Sequence, residues 1–179
     1  MQTFDLIQEP TQVDALVSFF DLTAFFRYSR GLEPATLFST MDAYYELAGD
    51  ILETAGGKIV KFIGDAGLVV FADERVNEGT LALIKLKEVG DAWWAQRDAR
   101  CKNVIKVHYG PVCFGPIGTR TDKRFDVFGE TVSTAATLHS NGFALSAQAF
   151  RQLDAKTRKY FKKHTPPITY IPLEESHKG

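Results

Sequence analysis

Little in this sequence can form a bridge, and nothing in it can span a bilayer as a helix. Of its 179 residues only two are cysteines, Cys101 and Cys113. The expectation is two reduced thiols in a cytoplasmic protein, not a disulfide scaffold. There is no CxxC pair and no clustered His/Cys spacing, which excludes a structural zinc site. No apolar run approaches the ~20 residues of a membrane helix. The N-terminal MQTFDLIQEP has neither a basic flank nor a long apolar stretch, so no signal peptide and no membrane partner are expected. A basic excess is also missing: Lys+Arg is 21 against Asp+Glu 22, a formal net charge of -1. That argues against a protein held by phosphate backbones, so no nucleic-acid partner is expected. Repeats, low-complexity tracts and long linkers are absent too, and one domain over residues 1–179 is the expectation. What is present is apolar substance: 45% hydrophobic and 24% charged residues, enough for a sizeable core.

The apolar run Ala15 to Leu22 reads as a buried strand ending near Asp21. Pro34 opens a helix at its first turn, where a missing N–H costs nothing. Leu37, Met41, Tyr44, Tyr45, Ala48, Ile51 and Leu52 recur at helical spacing, and Gly56-Gly57 ends the helix. Residues 58–63 and 66–71 are two apolar runs joined by Gly64-Asp65, a β-hairpin pattern. A second helix is expected over 75–97, a strand pair (104–108 and 112–117) around Gly110-Pro111, and then a polar tongue over 118–124. Phe125 to Gly129 leads into a helix over 131–140, followed by a strand at 143–145, a helix over 147–161 and a strand at 168–171. The order β-α-β-β-α-β predicts an α+β protein. Its core is a ferredoxin-like split βαβ, a mostly antiparallel sheet with helices on one face and further strands and helices added.

Two carboxylates stand at strand ends among bulky apolar residues: Asp21 after Phe19-Phe20, and Asp65 after Gly64. In a split βαβ sheet the first strand lies beside the hairpin, which brings both to one end. Two carboxylates that close repel unless a cation separates them, and hard oxygen ligands beside nucleotide phosphates suit Mg²⁺ or Mn²⁺. The plainer reading is a turn aspartate and a strand-exit aspartate. Position alone leaves both open. Lys61 is likewise either a lysine reaching solvent along its stem or a donor to a ligand.

Four stretches carry a resemblance. GGKIVKFIGDAGLVVF (Gly56 to Phe71) resembles the signature of class III nucleotidyl cyclases, the catalytic domains of adenylate and guanylate cyclases. FFDLTAFF (Phe19 to Phe26) resembles that family's first metal loop, and VHYGPVCFGPIGT (Val107 to Thr119) its central hairpin. RFDVFGETVSTAATLHSNG (Arg124 to Gly142) resembles the segment that closes the site. The similarity runs from about residue 15 to 172. It implies a homodimer with sites at the interface, a nucleoside triphosphate substrate, and two Mg²⁺ or Mn²⁺ ions per site. Carried over, Asp21, Asp65 and the carbonyl of Leu22 match the metal ligands. Lys61 and Asp126 match the pair that reads adenine; pocket shape set by Phe62, Val127 and Phe128 is the remaining explanation of base choice if that pair does not read the base. The tongue at 119–124 matches a dimerisation arm. The implied reaction converts an NTP to a 3′,5′-cyclic NMP and pyrophosphate.

Several positions depart from that family. A helix Asn and, four residues on, an Arg are replaced by Ser133 and Thr137, which share one helix face. Serine can replace a hydrogen bond of Asn, but Thr cannot replace a guanidinium charge. A strand Arg is replaced by Val104, with Lys106 two residues on as a displaced phosphate ligand or a solvated lysine. In the metal loop, Ala24 and Phe26 replace Gly and Thr, and Ala24 narrows a phosphate-cradling turn. Lys162 and Lys163 are read as a solvated helix end in preference to phosphate contacts. One donor and one acceptor suit adenine, cytosine or uracil, so the pair alone does not fix the base. A catalytic domain with no receptor, sensor or membrane part, and without the usual Asn and Arg, resembles the stand-alone pyrimidine cyclases of bacterial antiphage signalling. ATP and a pyrimidine substrate (UTP or CTP) are expected about equally. The alternative is a degenerate cyclase fold that binds nucleotide or a partner without turnover.

Overall fold

The structure, a computed structural model, describes Phe4 and residues 7–97 and 99–176. In chain order the described residues form β1 (Thr11–Leu22), α1 (Phe25–Ser29), α2 (Pro34–Thr54), β2 (Lys58–Ile63), β3 (Ala66–Ala72), α3 (Val76–Ala95), β4 (Asn103–Gly118), β5 (Lys123–Phe128), α4 (Glu130–Thr137), β6 (Phe143–Ser146), α5 (Ala147–Gln152), β7 (Phe161–His164) and β8 (Thr169–Pro172). The sheet order is β2-β3-β1-β4-β6-β8-β7, with β5 paired to β4 off that path. Strands β1 to β4 pair antiparallel as the split βαβ core requires, and β6 is added parallel to β4. This is the expected α+β core with added elements.

Strand β1 is the spine. From Ala15 to Phe20 it is hydrogen-bonded on both edges and enclosed on both faces, which explains the unbroken apolar run. Leu16 and Phe20 point to the face covered by α2 and α3, where Leu52, Leu83 and Leu86 meet them. Ala15 and Val17 point to the opposite face, covered by Phe114, Val127 and Ala135 from β4, β5 and α4. Asp21 shares this second face by alternation. Gly67 lies opposite Phe20 in the register, and a β-carbon there would fall 2.1 Å from the Phe20 ring. The second glycine of the GDAG turn therefore makes room for the largest β1 side chain directly behind Asp65. Pro34 sits in the first turn of α2 as expected. The helix closes with Gly56 at positive φ, where Gly56 N–H donates to Glu53 C=O and Gly57 N–H to Leu52 C=O (2.9 Å each). That is the paired carbonyl capping of a Schellman ending.

Four expectations change. The strands at 104–108 and 112–117 are not a hairpin. They are one continuous strand, because β1 extends back to Thr11 and pairs with β4 through Gly110 and Pro111. Pro111 is accommodated opposite Asp14 without breaking the ladder. The hairpin lies instead between β4 and β5, around the tongue. The helix over 147–161 stops at Gln152, and its end is strand β7, which pairs with β8. Lys162 and Lys163 therefore lie on a strand, and Lys162 Nζ donates to Leu173 C=O at 2.7 Å. The helix after Gly129 ends at Thr137 instead of Ser140. Both cysteines are free: Cys101 is buried ahead of β4 and Cys113 is exposed toward its far end, too distant along an extended strand to bridge.

The metal-loop position Ala24 has a backbone consequence. It caps the short α1 in the left-handed region, at φ 58°, the one described residue other than glycine at positive φ. A β-carbon in that region costs about 1–2 kcal/mol, partly offset by the lower unfolded-state entropy of alanine. Ala24→Gly is expected to stabilise the protein by about 1 kcal/mol net, a rise of roughly 2–4 °C in melting temperature for a chain of this size. Thermal denaturation checks it. A fall in melting temperature would show that the strain is absorbed elsewhere.

Candidate active site

The sheet register brings the two strand-end aspartates together. Phe20 lies opposite Gly67, so Asp21 at the end of β1 comes beside the β2–β3 turn, and its side chain interacts with that of Asp65 there. Asp21 Oδ1 accepts from the Leu22 N–H at 2.8 Å. Burial raises the Asp65 pKa to about 6; its own N–H and that of Leu22 oppose the rise, and the adjacent Asp21 charge adds to it. Two carboxylates share one partly desolvated corner there. The Leu22 side chain is buried with Met41, Tyr44 and Trp94, which roots the backbone at the start of the loop. Thr23 N–H donates to Lys102 C=O (2.9 Å) and Lys102 N–H to Thr23 Oγ1 (3.1 Å), a double clamp on the same loop.

The side chains that meet at this corner are two carboxylates, which offer hard oxygen donors. No cluster of three or more His, Cys, Asp or Glu side chains suited to a metal occurs among the described residues. Such a corner fits a cation of the Mg²⁺ type, which takes one or two carboxylates from protein and the rest of its shell from phosphates and water.

Lys61 and Asp126 form a second constellation. Strand β2 carries a bulge between Ile59 and Lys61. The extra residue turns Val60 and Lys61 to one face, so Val60 packs in the second core while Ile59 and Phe62 pack against the helices. The bulge aims Lys61 at Asp126 on β5, and the two form an ion pair. Asp126 is 17% exposed and Lys61 39%. Asp126 Oδ1 accepts from the Val127 N–H at 2.8 Å. Among the described residues, no hydrogen bond or ion pair links this pair to the Asp21–Asp65 pair.

The remaining expected site residues scatter around these two centres. Phe128 is exposed, Val127 is enclosed in the core, and Phe62 is half-buried. Ser133 and Thr137 are exposed on one face of α4, where the Thr137 hydroxyl donates to the Ser133 carbonyl at 2.9 Å. Lys106 reaches α4 on the second face and donates to the Ala136 carbonyl at 3.0 Å, so it caps the helix C-terminus.

Sequence reasoning missed two supports. Tyr45 appears in the sequence as a helix core position. In the structure its hydroxyl donates to the Gly64 carbonyl, and its ring stacks on Phe62 with centroids 3.8 Å apart. Burial first, then the Asp65 charge, raises its pKa, so the hydroxyl stays a donor. Asn103 is fully buried opposite Leu22. It accepts from the Tyr44 hydroxyl, and its N–H and side-chain amide reach Asp91 Oδ1 at 2.6 and 3.1 Å. Gly90 makes the room, since a β-carbon there would lie 2.6 Å from Asn103 Nδ2. Only a run-on polar residue at a strand start marks Asn103 in the sequence.

The family described as the adenylate and guanylate cyclase catalytic domain matches residues 7–164. The chain is 30% identical over 124 residues to an adenylate cyclase of Streptomyces coelicolor, covering 69% of this chain and 29% of that protein. It is 32% identical over 146 residues to the receptor-type guanylate cyclase Gyc76C of Drosophila melanogaster, covering 76% of this chain and 10% of that protein. The chain thus spans less than a third of the length of these curated relatives. In fold it is similar to the adenylyl cyclase CyaB from P. aeruginosa, with a TM-score of 0.80 at 17% identity over 95% of this chain and 98% of that one. With the family match running over nearly the whole described chain, the chain belongs to the adenylate and guanylate cyclase catalytic domain family, the class III cyclases.

Proposed function

We propose that this protein is a metal-dependent nucleotidyl cyclase that acts as a homodimer and converts a nucleoside triphosphate to a 3′,5′-cyclic monophosphate and pyrophosphate. The observation that carries this reading is the carboxylate corner: Asp21 and Asp65 meet at one sheet end, with Asp65 held near pKa 6 by burial and by its neighbour. In this reading Asp21, Asp65 and the Leu22 carbonyl hold two Mg²⁺ or Mn²⁺ ions. When bound, the ions lower the pKa of the ribose 3′-hydroxyl and offset the charge gathering on the leaving pyrophosphate. The chain's own task is placement, because in-line attack on the α-phosphorus needs little more than alignment and charge compensation.

Lys61 and Asp126 serve the base. Their ion pair leaves two ammonium hydrogens of Lys61 and a lone pair on each Asp126 oxygen for a ligand. A donor beside an acceptor suits the amino-bearing edge of adenine or cytosine, or the edge of uracil. ATP, CTP and UTP all satisfy it, and the last two would place the protein with the pyrimidine cyclases of antiphage signalling. The two pairs are unlinked within one chain, which supports a site made from the aspartates of one subunit and the base-reading pair of the other. The tongue over 118–124, projecting from the β4–β5 hairpin, is then the arm that reaches the partner.

One observation favours a second reading, a cyclase fold that binds nucleotide without turnover. Thr137 spends its hydroxyl on its own helix and carries no charge. Loss of a transition-state charge donor costs about 10²–10³ in rate. Turnover measured with Mn²⁺ on each of the four NTPs, read by chromatography, decides between the two.

Asp21→Asn and Asp65→Asn are each expected to lower that turnover by at least about 10²-fold. Because the folded state raises the Asp65 pKa, it binds more protons than the unfolded chain between about pH 4 and 6, and metal-free stability falls as pH rises through that window. Asp65→Asn should therefore keep or raise the melting temperature at pH 7.5 while it removes activity. Near-normal turnover in either variant would rule out the metal assignment. Shared sites predict complementation: Asp65→Ala and Asp126→Ala chains, when mixed, should turn over faster than either alone, since one site of the mixed dimer has both intact halves. Mixed dimers confirmed by mass spectrometry yet no faster would argue against shared sites. Competition among the four NTPs at equal concentration tests the base pair. Lys61→Ala and Asp126→Ala should flatten the ranking among ATP, CTP and UTP. An unchanged ranking in intact dimers would leave Lys61 and Asp126 as a purely structural ion pair.

A further inference from the structure

The two halves of the cyclase machinery meet on one side chain of α2. Strand β2 is the outermost strand of the sheet on its side, so among the described residues no neighbouring strand supports its outer edge. Its bulge interrupts the ladder to β3, and the turn beyond it carries Asp65 with Gly64 at φ 61° and Ile63 59% exposed. The corner that must hold Asp65 beside Asp21 is therefore the weakly supported tip of an edge hairpin. Tyr45 supplies the missing support from the helix side. Its hydroxyl donates to the carbonyl of Gly64, the residue before Asp65. Its ring lies flat on Phe62, the residue after Lys61, with ring planes within 6°. Phe62 in turn meets the buried Phe20 edge-on at 6.2 Å. One residue thus contacts both the turn that bears a proposed metal ligand and the strand that bears the proposed base donor.

We infer that Tyr45 is a positioning residue that fixes the Asp65 turn and the Lys61 strand relative to each other, the hydroxyl acting on the first and the ring on the second. This rests on the proposed metal role of Asp65 and base role of Lys61. The division of labour separates the two contributions. Tyr45→Phe keeps the stack and removes one hydrogen bond; Tyr45→Leu removes both.

One hydrogen bond of ordinary strength corresponds to about fivefold in a local equilibrium. Tyr45→Phe is therefore expected to speed amide hydrogen exchange at residues 64–66 about fivefold, with no metal present, while exchange across β1 and β4 stays as in the wild type. Mn²⁺ affinity of the nucleotide-free protein, read from the electron paramagnetic resonance signal of free Mn²⁺, should fall by a similar factor. The ranking among ATP, CTP and UTP should not change. Tyr45→Leu should weaken Mn²⁺ binding as well and also flatten that ranking. Wild-type exchange and Mn²⁺ affinity in Tyr45→Phe would overturn the inference, as would faster exchange spread over β1 and β4, which marks a general structural role. An unchanged ranking in Tyr45→Leu would overturn the part assigned to the ring. Asp65→Asn is the control: if it abolishes Mn²⁺ binding while Tyr45→Phe does nothing, the metal site stands and only the Tyr45 inference falls. If Asp65→Asn binds Mn²⁺ like the wild type, the metal site falls and the inference with it.

Discussion

Two negative charges held in one partly buried corner are the constraint around which this structure is arranged. Left alone, the Asp21–Asp65 pair works against folding, and Asp65 answers by holding its proton to higher pH. The fold nevertheless commits much of its rigid structure to the corner. Strand β1 is hydrogen-bonded on both edges and enclosed on both faces from Ala15 to Phe20, just short of the corner, and Gly67 gives up a side chain so that Phe20 can fill the space behind the turn. The loop after β1 is clamped to Lys102, and Asn103 ties the adjacent start of β4 to α2 and α3. Removing any of these supports would relax the repulsion. Their presence is understandable if a cation completes the corner.

The Lys61–Asp126 pair solves the opposite problem. A lysine in an apolar edge strand would ordinarily turn its ammonium to water. Here a bulge redirects it across the sheet onto β5, and the Val127 N–H holds the carboxylate in place. A pair oriented before any ligand arrives loses less freedom when one binds. The partial exposure of Lys61 leaves the pair accessible, consistent with a role toward something outside the chain.

Elsewhere the chain has let go of polar function. Lys106 and Thr137 both spend their polar atoms on carbonyls of α4, one across the sheet face and one within the helix. Ala24 keeps the left-handed backbone that a glycine would adopt without strain. The loop after β1 thus adopts a glycine-like backbone with an alanine at its turn.

The sequence by itself determined the order of elements, the central place of the first strand and the meeting of Asp21 with Asp65. These follow from hydrophobic period, turn residues and the one topology that a split βαβ order allows. It also singled out Lys61 and Asp126, through two stretches that resemble a known family, and the structure joins them as an ion pair. It did not determine the unity of β4, because Gly110-Pro111 carries the local chemistry of a turn and only the full length of β1 alongside overrides it. Nor did it show that β7 is a strand, since Phe161 to His164 pairs only because β8 returns beside it. The bulge at Val60, the closeness of Gly90 to Asn103 and the grip of Tyr45 on Gly64 belong wholly to the tertiary structure. Each depends on a partner 10 or more positions away in the chain, or on a register shift that leaves no mark on local periodicity, and such contacts exist only once the sheet and helices have packed.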